Sequence, residues 1–193
     1  MIGNKIVLIA ASIAAIIASS MLLAPVIAEP SYTQVTSSTV SSGKSGIQQD
    51  AGSSVVYKVA TNGNIPHVAD SYINSVAVFG YAWTGTDNTF TAAVIHPSFK
   101  DTIQNPTGWH LHTGTLAVDT TNCPTTDSNG PTGKLGVKIA TITDPIGSVS
   151  ITGNSLTASL TESLTNVTPI NFSPPAIAFQ IEPTNGALCI AKP

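Results

Sequence analysis

The chain has 193 residues, which leaves room for one ordinary domain once a targeting segment is set aside. Only 9% of the residues are charged, arginine is absent and the net charge is −3. That balance excludes a nucleic-acid partner, which needs a basic stripe and guanidinium groups. The abundance of Thr, Ser, Gly, Asn and Pro favours strands and turns over helices.

At the N-terminus, Lys5 is the single charge ahead of an uncharged apolar run from Ile6 to Ile27. The run closes on Pro25, Val26, Ile27 and Ala28, the branched and small residues of a peptidase site. Residues 1–28 are therefore expected to be a signal peptide cleaved after Ala28. An uncleaved anchor is the alternative, because a run of this length can span a bilayer. Either outcome makes the rest extracytoplasmic, secreted or at the cell surface, with membrane contact only through this segment. Residues 29–53 are rich in Ser, Thr and Gln with little to bury, so they read as a flexible linker.

From residue 54 to 193 short apolar runs alternate with turn clusters. Strands are expected at 55–60, 75–83, 90–96, 109–118, 135–142, 148–152, 156–162, 177–182 and 187–191. Several alternate with period two. Leu135, Val137 and Ile139 oppose Lys134 and Lys138; Leu156, Ala158 and Leu160 oppose Thr157, Ser159 and Thr161. No window beyond the leader shows a helical period. The expected architecture is all-β, a Greek-key β-sandwich (immunoglobulin-like or superoxide dismutase-like) or a related barrel. Cys123 and Cys189 are the only cysteines, and an even pair in an exported domain reads as a disulfide. Asn166 and Asn171 open glycosylation sequons.

One constellation carries chemistry. His110 and His112 are two apart on an expected strand, so both rings leave the same face. Two imidazoles so placed suit copper or zinc. His96, at the end of an earlier strand, supplies a third nitrogen if the two strands are neighbours; Asp119 or Asp127 would extend the shell. His67 sits among loop residues and reads as solvated. Catalytic alternatives fail: there is no Gly-x-Ser-x-Gly elbow, no close carboxylate pair and no phosphate loop.

The segment Gly108-Trp109-His110-Leu111-His112 resembles the G-F-H-V-H strand of copper,zinc superoxide dismutases, and equally the H-I-H-x-G segment of the CHRD domain. In the dismutases a cysteine after that strand pairs with one near the C-terminus, and Cys123 and Cys189 lie at similar places. The resemblance implies a shared β-fold. It does not carry the activity across: the family's copper takes four histidines, its zinc two more and an aspartate, and an arginine attracts superoxide. This chain has four histidines in all and no arginine. A blue-copper site is excluded, because the only methionines are Met1 and Met21 and no histidine follows Cys189. Three functions follow as expectations: an exported binding module holding copper or zinc, a self-associating cell-envelope component, or a divergent copper redox protein.

Overall fold

The computed structural model describes residues 28–44, 53–85, 88–97, 108–125, 133–143, 146–161 and 176–193. Ten strands dominate: β1 (Val35–Lys44), β2 (Ser53–Thr61), β3 (Val78–Thr84), β4 (Thr89–Ile95), β5 (His110–Val118), β6 (Lys134–Ile142), β7 (Ser148–Thr152), β8 (Ser155–Thr161), β9 (Ile177–Thr184) and β10 (Ala187–Ala191). The all-β expectation holds. A four-stranded sheet ordered β1-β2-β8-β7 packs on a closed barrel ordered β10-β6-β5-β4-β3-β9. Every pairing within them is antiparallel.

The expected linker is corrected over part of its length. Residues 31–33 form a 3-10 turn with Tyr32 and Thr33 buried, and β1 pairs with β2 from Val35↔Thr61 to Lys44↔Ser53. An edge strand needs few apolar residues, because backbone pairing holds it while its hydroxyls face water. The expected signal segment lies outside the described residues except for Ala28, as do both sequons.

Strand alternation divides the barrel's side chains between two cores. Val78, Ala82, Phe90, Ala92, Val94, Phe179, Ile181 and Ile190 fill the barrel, joined by Leu116, Leu135, Val137 and Ile139. Six strands enclose less space than the eight that just accommodate side chains, so small residues are needed inside. A Cβ on Gly114 would lie 2.1 Å from the Thr141 carbonyl oxygen, and one on Gly80 would lie 2.5 Å from that of Ala93. The opposite faces of β3, β4 and β5 present Phe79, Tyr81, Trp83, Ala93, Ile95 and Leu111 to Tyr57, Val59, Leu156, Ala158 and Leu160 of the open sheet.

Among the described residues one short helix, α1 (Ser71–Ser75), lies between β2 and β3. A single turn is too short to show a helical period in sequence; its legible signal is Asp70, whose side chain accepts from the Ile73 N–H at 2.9 Å as N-cap. The Tyr32 hydroxyl donates to the same carboxylate at 2.8 Å. The Tyr81 hydroxyl donates to the Tyr32 carbonyl oxygen at 2.8 Å. The turn, α1 and β3 are thereby tied into one corner.

That corner sets an alkaline limit on the fold. Burial, reinforced by the Glu29 and Asp70 carboxylates, pushes the Tyr72 hydroxyl up to about 12 from an ordinary 10.0. Burial also raises Tyr81 and Tyr32, the latter helped by its bond to Asp70. The unfolded chain ionises these phenols first, so their contribution is complete below pH 10 and shrinks as pH rises toward 12. Absorbance titration at 295 nm should show delayed ionisation, with denaturant midpoints falling over that interval. Ordinary tyrosine titration with no loss of midpoint would contradict this account.

Candidate metal centre

The register of β4 against β5 builds the site. Val94 lies opposite His110 and Ala92 opposite His112. Directly paired residues share a face, so both rings join the series that lines the barrel. His96, two residues beyond Val94, continues that series from β4. The three histidines therefore gather at the barrel end where β4 leaves and β5 enters, above the apolar core. This is the neighbouring-strand arrangement that β-patterning alone could not specify.

Each of the three offers one ring nitrogen, and these nitrogens lie within 4.8 Å of one another. Nε2 of His96 and Nε2 of His110 are 2.7 Å apart. Ring centroids are 4.4 Å apart for His96 and His110, 4.9 Å for His110 and His112, and 6.1 Å for His96 and His112. Two nitrogens on one zinc ion, each at about 2.0–2.1 Å, can be no more than about 4 Å apart. The group is compact on that scale, so it could hold a metal ion.

Backbone carbonyls fix the rings. Nδ1 of His110 is 2.8 Å from the Gly108 oxygen, and Nδ1 of His112 is 2.7 Å from the Thr143 oxygen. A carbonyl only accepts, so each Nδ1 carries the proton and each Nε2 presents its lone pair. The 2.7 Å contact is then a hydrogen bond from the His96 Nε2–H to His110; for His96 to ligate through Nε2, its proton would move to Nδ1, which keeps the ring neutral. Thr143 is itself held by its N–H donating to the Thr113 oxygen at 2.8 Å. Sequence reasoning missed both carbonyls, because a backbone acceptor leaves no mark in residue type.

Burial distinguishes the ligands. His96 and His112 are 5% and 4% exposed, whereas His110 is intermediate and forms the solvent side of the group. Beneath them Trp109 anchors the start of β5. Its indole stacks on Tyr81 at 5.6 Å with 9° between planes, and its Nε1–H donates to the Pro66 oxygen at 2.7 Å. His67, next in that loop, is exposed and stands outside the group.

Asp119 does not complete the shell. It lies seven residues beyond His112, about 23 Å along an extended strand. Asn122 donates to it through both backbone and side chain, and Lys138 Nζ lies 2.8 Å away. Those partners hold its carboxyl well below the usual range. Asp127 falls outside the described residues. The role of Asp119 is to shape the turn whose Cys123 N–H donates to the Asp119 carbonyl oxygen at 2.9 Å. That turn delivers Cys123 to Cys189 of β10, and the two form a disulfide with Cα atoms 5.4 Å apart.

Comparison with models of protein families, with curated proteins and with solved structures finds no match to this chain.

Proposed function

We propose that this chain is an exported β-domain that binds one copper or zinc ion through His96, His110 and His112. The observation that carries the reading is the convergence of three imidazoles, two of them held by backbone carbonyls in the tautomer a metal needs. The donor chemistry supports copper or zinc. Both cysteines are in the disulfide and both methionines are in the leader, so no thiolate or thioether is on offer. The disulfide and the apolar leader support an oxidising, extracytoplasmic location. The likeness of the His110–His112 strand to that of the dismutases and CHRD domains supports a related scaffold.

Calorimetric titration of the exported chain with zinc or copper(II) should give one equivalent bound. His110→Ala/His112→Ala should reduce affinity by at least a hundredfold while the disulfide still forms. Equal binding by the double variant would sink the proposal.

A second reading, self-association, draws on β1. Among the described residues this ten-residue strand pairs only with β2, and it contains no proline. Such an edge is a template for another copy. Sedimentation would then show concentration-dependent assembly unchanged by the histidine substitutions and abolished by a proline at Thr39; a monomer at all concentrations would exclude it.

A further inference from the structure

The aromatic side chains between the two layers form a continuous path, and the hydrogen bonds along it differ in one chemical respect. The chain has two tryptophans and four tyrosines. Trp83 is 1% exposed, and Tyr32, Tyr57, Tyr72 and Tyr81 are all buried. Trp109 is half-buried, so a small oxidant arriving from solvent meets that indole first. Trp109 stacks on Tyr81 at 5.6 Å, and Phe79 stands edge-on to Trp109, Tyr81 and Tyr32 at 6.1, 5.4 and 5.5 Å. Stacked and edge-on contacts bring ring faces and edges close together, and electrons pass fastest across such short gaps.

The fate of the proton decides where an oxidising equivalent rests. An indole or phenol that has lost one electron is a strong acid, but it sheds its proton only to a base. The Trp109 Nε1–H donates to the Pro66 carbonyl oxygen at 2.7 Å, and the Tyr81 hydroxyl donates to the Tyr32 carbonyl oxygen at 2.8 Å. A backbone carbonyl accepts a hydrogen bond without taking the proton. The Tyr32 hydroxyl instead donates to a carboxylate, lying 2.8 Å from Oδ2 and 3.0 Å from Oδ1 of Asp70. A carboxylate accepts the bond and, once the phenol is oxidised, the proton as well.

We infer that Trp109, Tyr81 and Tyr32 form a relay that takes up a one-electron oxidising equivalent from a small inorganic radical and stores it on Tyr32. The inorganic radical removes one electron from Trp109 and leaves as its closed-shell anion. One electron then passes from Tyr32 to Trp109 by way of Tyr81, restoring the neutral indole with its N–H intact. In the same step the Tyr32 O–H bond breaks and an O–H bond forms on Asp70. A positively charged indole and a carboxylate thus become a neutral indole and a carboxylic acid, beside a neutral phenoxyl radical. Charge is zero before and after, and no metal ion takes part.

The test is pulse radiolysis of the metal-free exported chain with the azidyl radical, which oxidises indole in preference to phenol. The indolyl absorption should decay as the phenoxyl band rises, at a rate unchanged by protein concentration. Tyr32→Phe keeps the ring and its contacts but removes the O–H, and should abolish the phenoxyl band. Asp70→Asn keeps the helix cap and an acceptor oxygen but takes up no proton, and should slow the transfer at least about tenfold. An indolyl signal that decays without a phenoxyl band, or a rise that scales with protein concentration, would overturn the relay. A phenoxyl band that survives in Tyr32→Phe would overturn the assignment to Tyr32. Transfer at the wild-type rate in Asp70→Asn would overturn the part given to the carboxylate.

Discussion

Removing the Cys123–Cys189 bond is expected to destabilise the domain by roughly 4 kcal/mol, the chain-entropy value for a loop of this size. The two cysteines are 66 positions apart, and the loop between them holds β6, β7, β8 and β9. The bond therefore restricts an unfolded chain that otherwise samples widely separated segments of both sheets. The native state has little to replace it with: Cys123, Ala187 and Cys189 form a small cluster of their own, separate from both main cores. A Cys123→Ala/Cys189→Ala variant should melt on the order of 10 °C lower. The measurement is thermal unfolding of the oxidised chain, the reduced chain and the double alanine variant. A difference below about 1 kcal/mol would mean that the unfolded state is already compact, and that the bond records only an oxidising compartment.

The same region shows what residue pattern can convey. Alternation placed nine of the ten described strands, and β7 and β10 coincide with their expected limits, because Val149 and Ile151, or Ala187, Cys189 and Ala191, turn one face inward. β1 escaped because burial leaves almost no imprint on an edge strand: Ser37, Thr39 and Ser41 face water and pairing with β2 does the rest. A barrel was legible only as an option beside the sandwich, and its closure was not. It depends on β9 and β10 completing a ring from β3 to β6, a long-range pairing that no local window records. Gly80 and Gly114 were the traces of it, glycines inside strands where a neighbouring backbone comes close.

The candidate site was legible in the same uneven way. The spacing of His110 and His112 fixed their shared face, whatever the topology. Adding His96 required knowing that β4 and β5 are neighbours in the register Val94↔His110. The sequence held the three side chains; the tertiary pairing made them a group. Its orientation by the Gly108 and Thr143 oxygens rests on backbone geometry alone.

Phe79→Ala should cost about 3–5 kcal/mol, comparable to loss of the disulfide but by a different route. Phe79 is fully buried on the face of β3 that meets the open sheet. Its ring makes edge contacts with Tyr32 at 5.5 Å, Tyr72 at 6.1 Å, Tyr81 at 5.4 Å and Trp109 at 6.1 Å. Those four neighbours belong to the N-terminal turn, α1, β3 and the entry to β5. Three of them are tied to backbone or carboxylate partners, so they cannot readily collapse into the space the ring leaves. Tyr81 is committed to the Tyr32 oxygen, Tyr32 to Asp70, and Trp109 to the Pro66 oxygen. A cavity that stays open costs more than one that closes. Guanidinium unfolding of Phe79→Leu beside Phe79→Ala separates the two terms, because leucine restores most of the apolar volume and should recover more than half of the loss. Because Trp109 immediately precedes His110, the alanine variant should also weaken metal binding, whereas loss of the disulfide, far along β5, should leave it nearly unchanged. If both variants lose stability but bind metal alike, the aromatic cluster holds the two layers together without positioning the histidines.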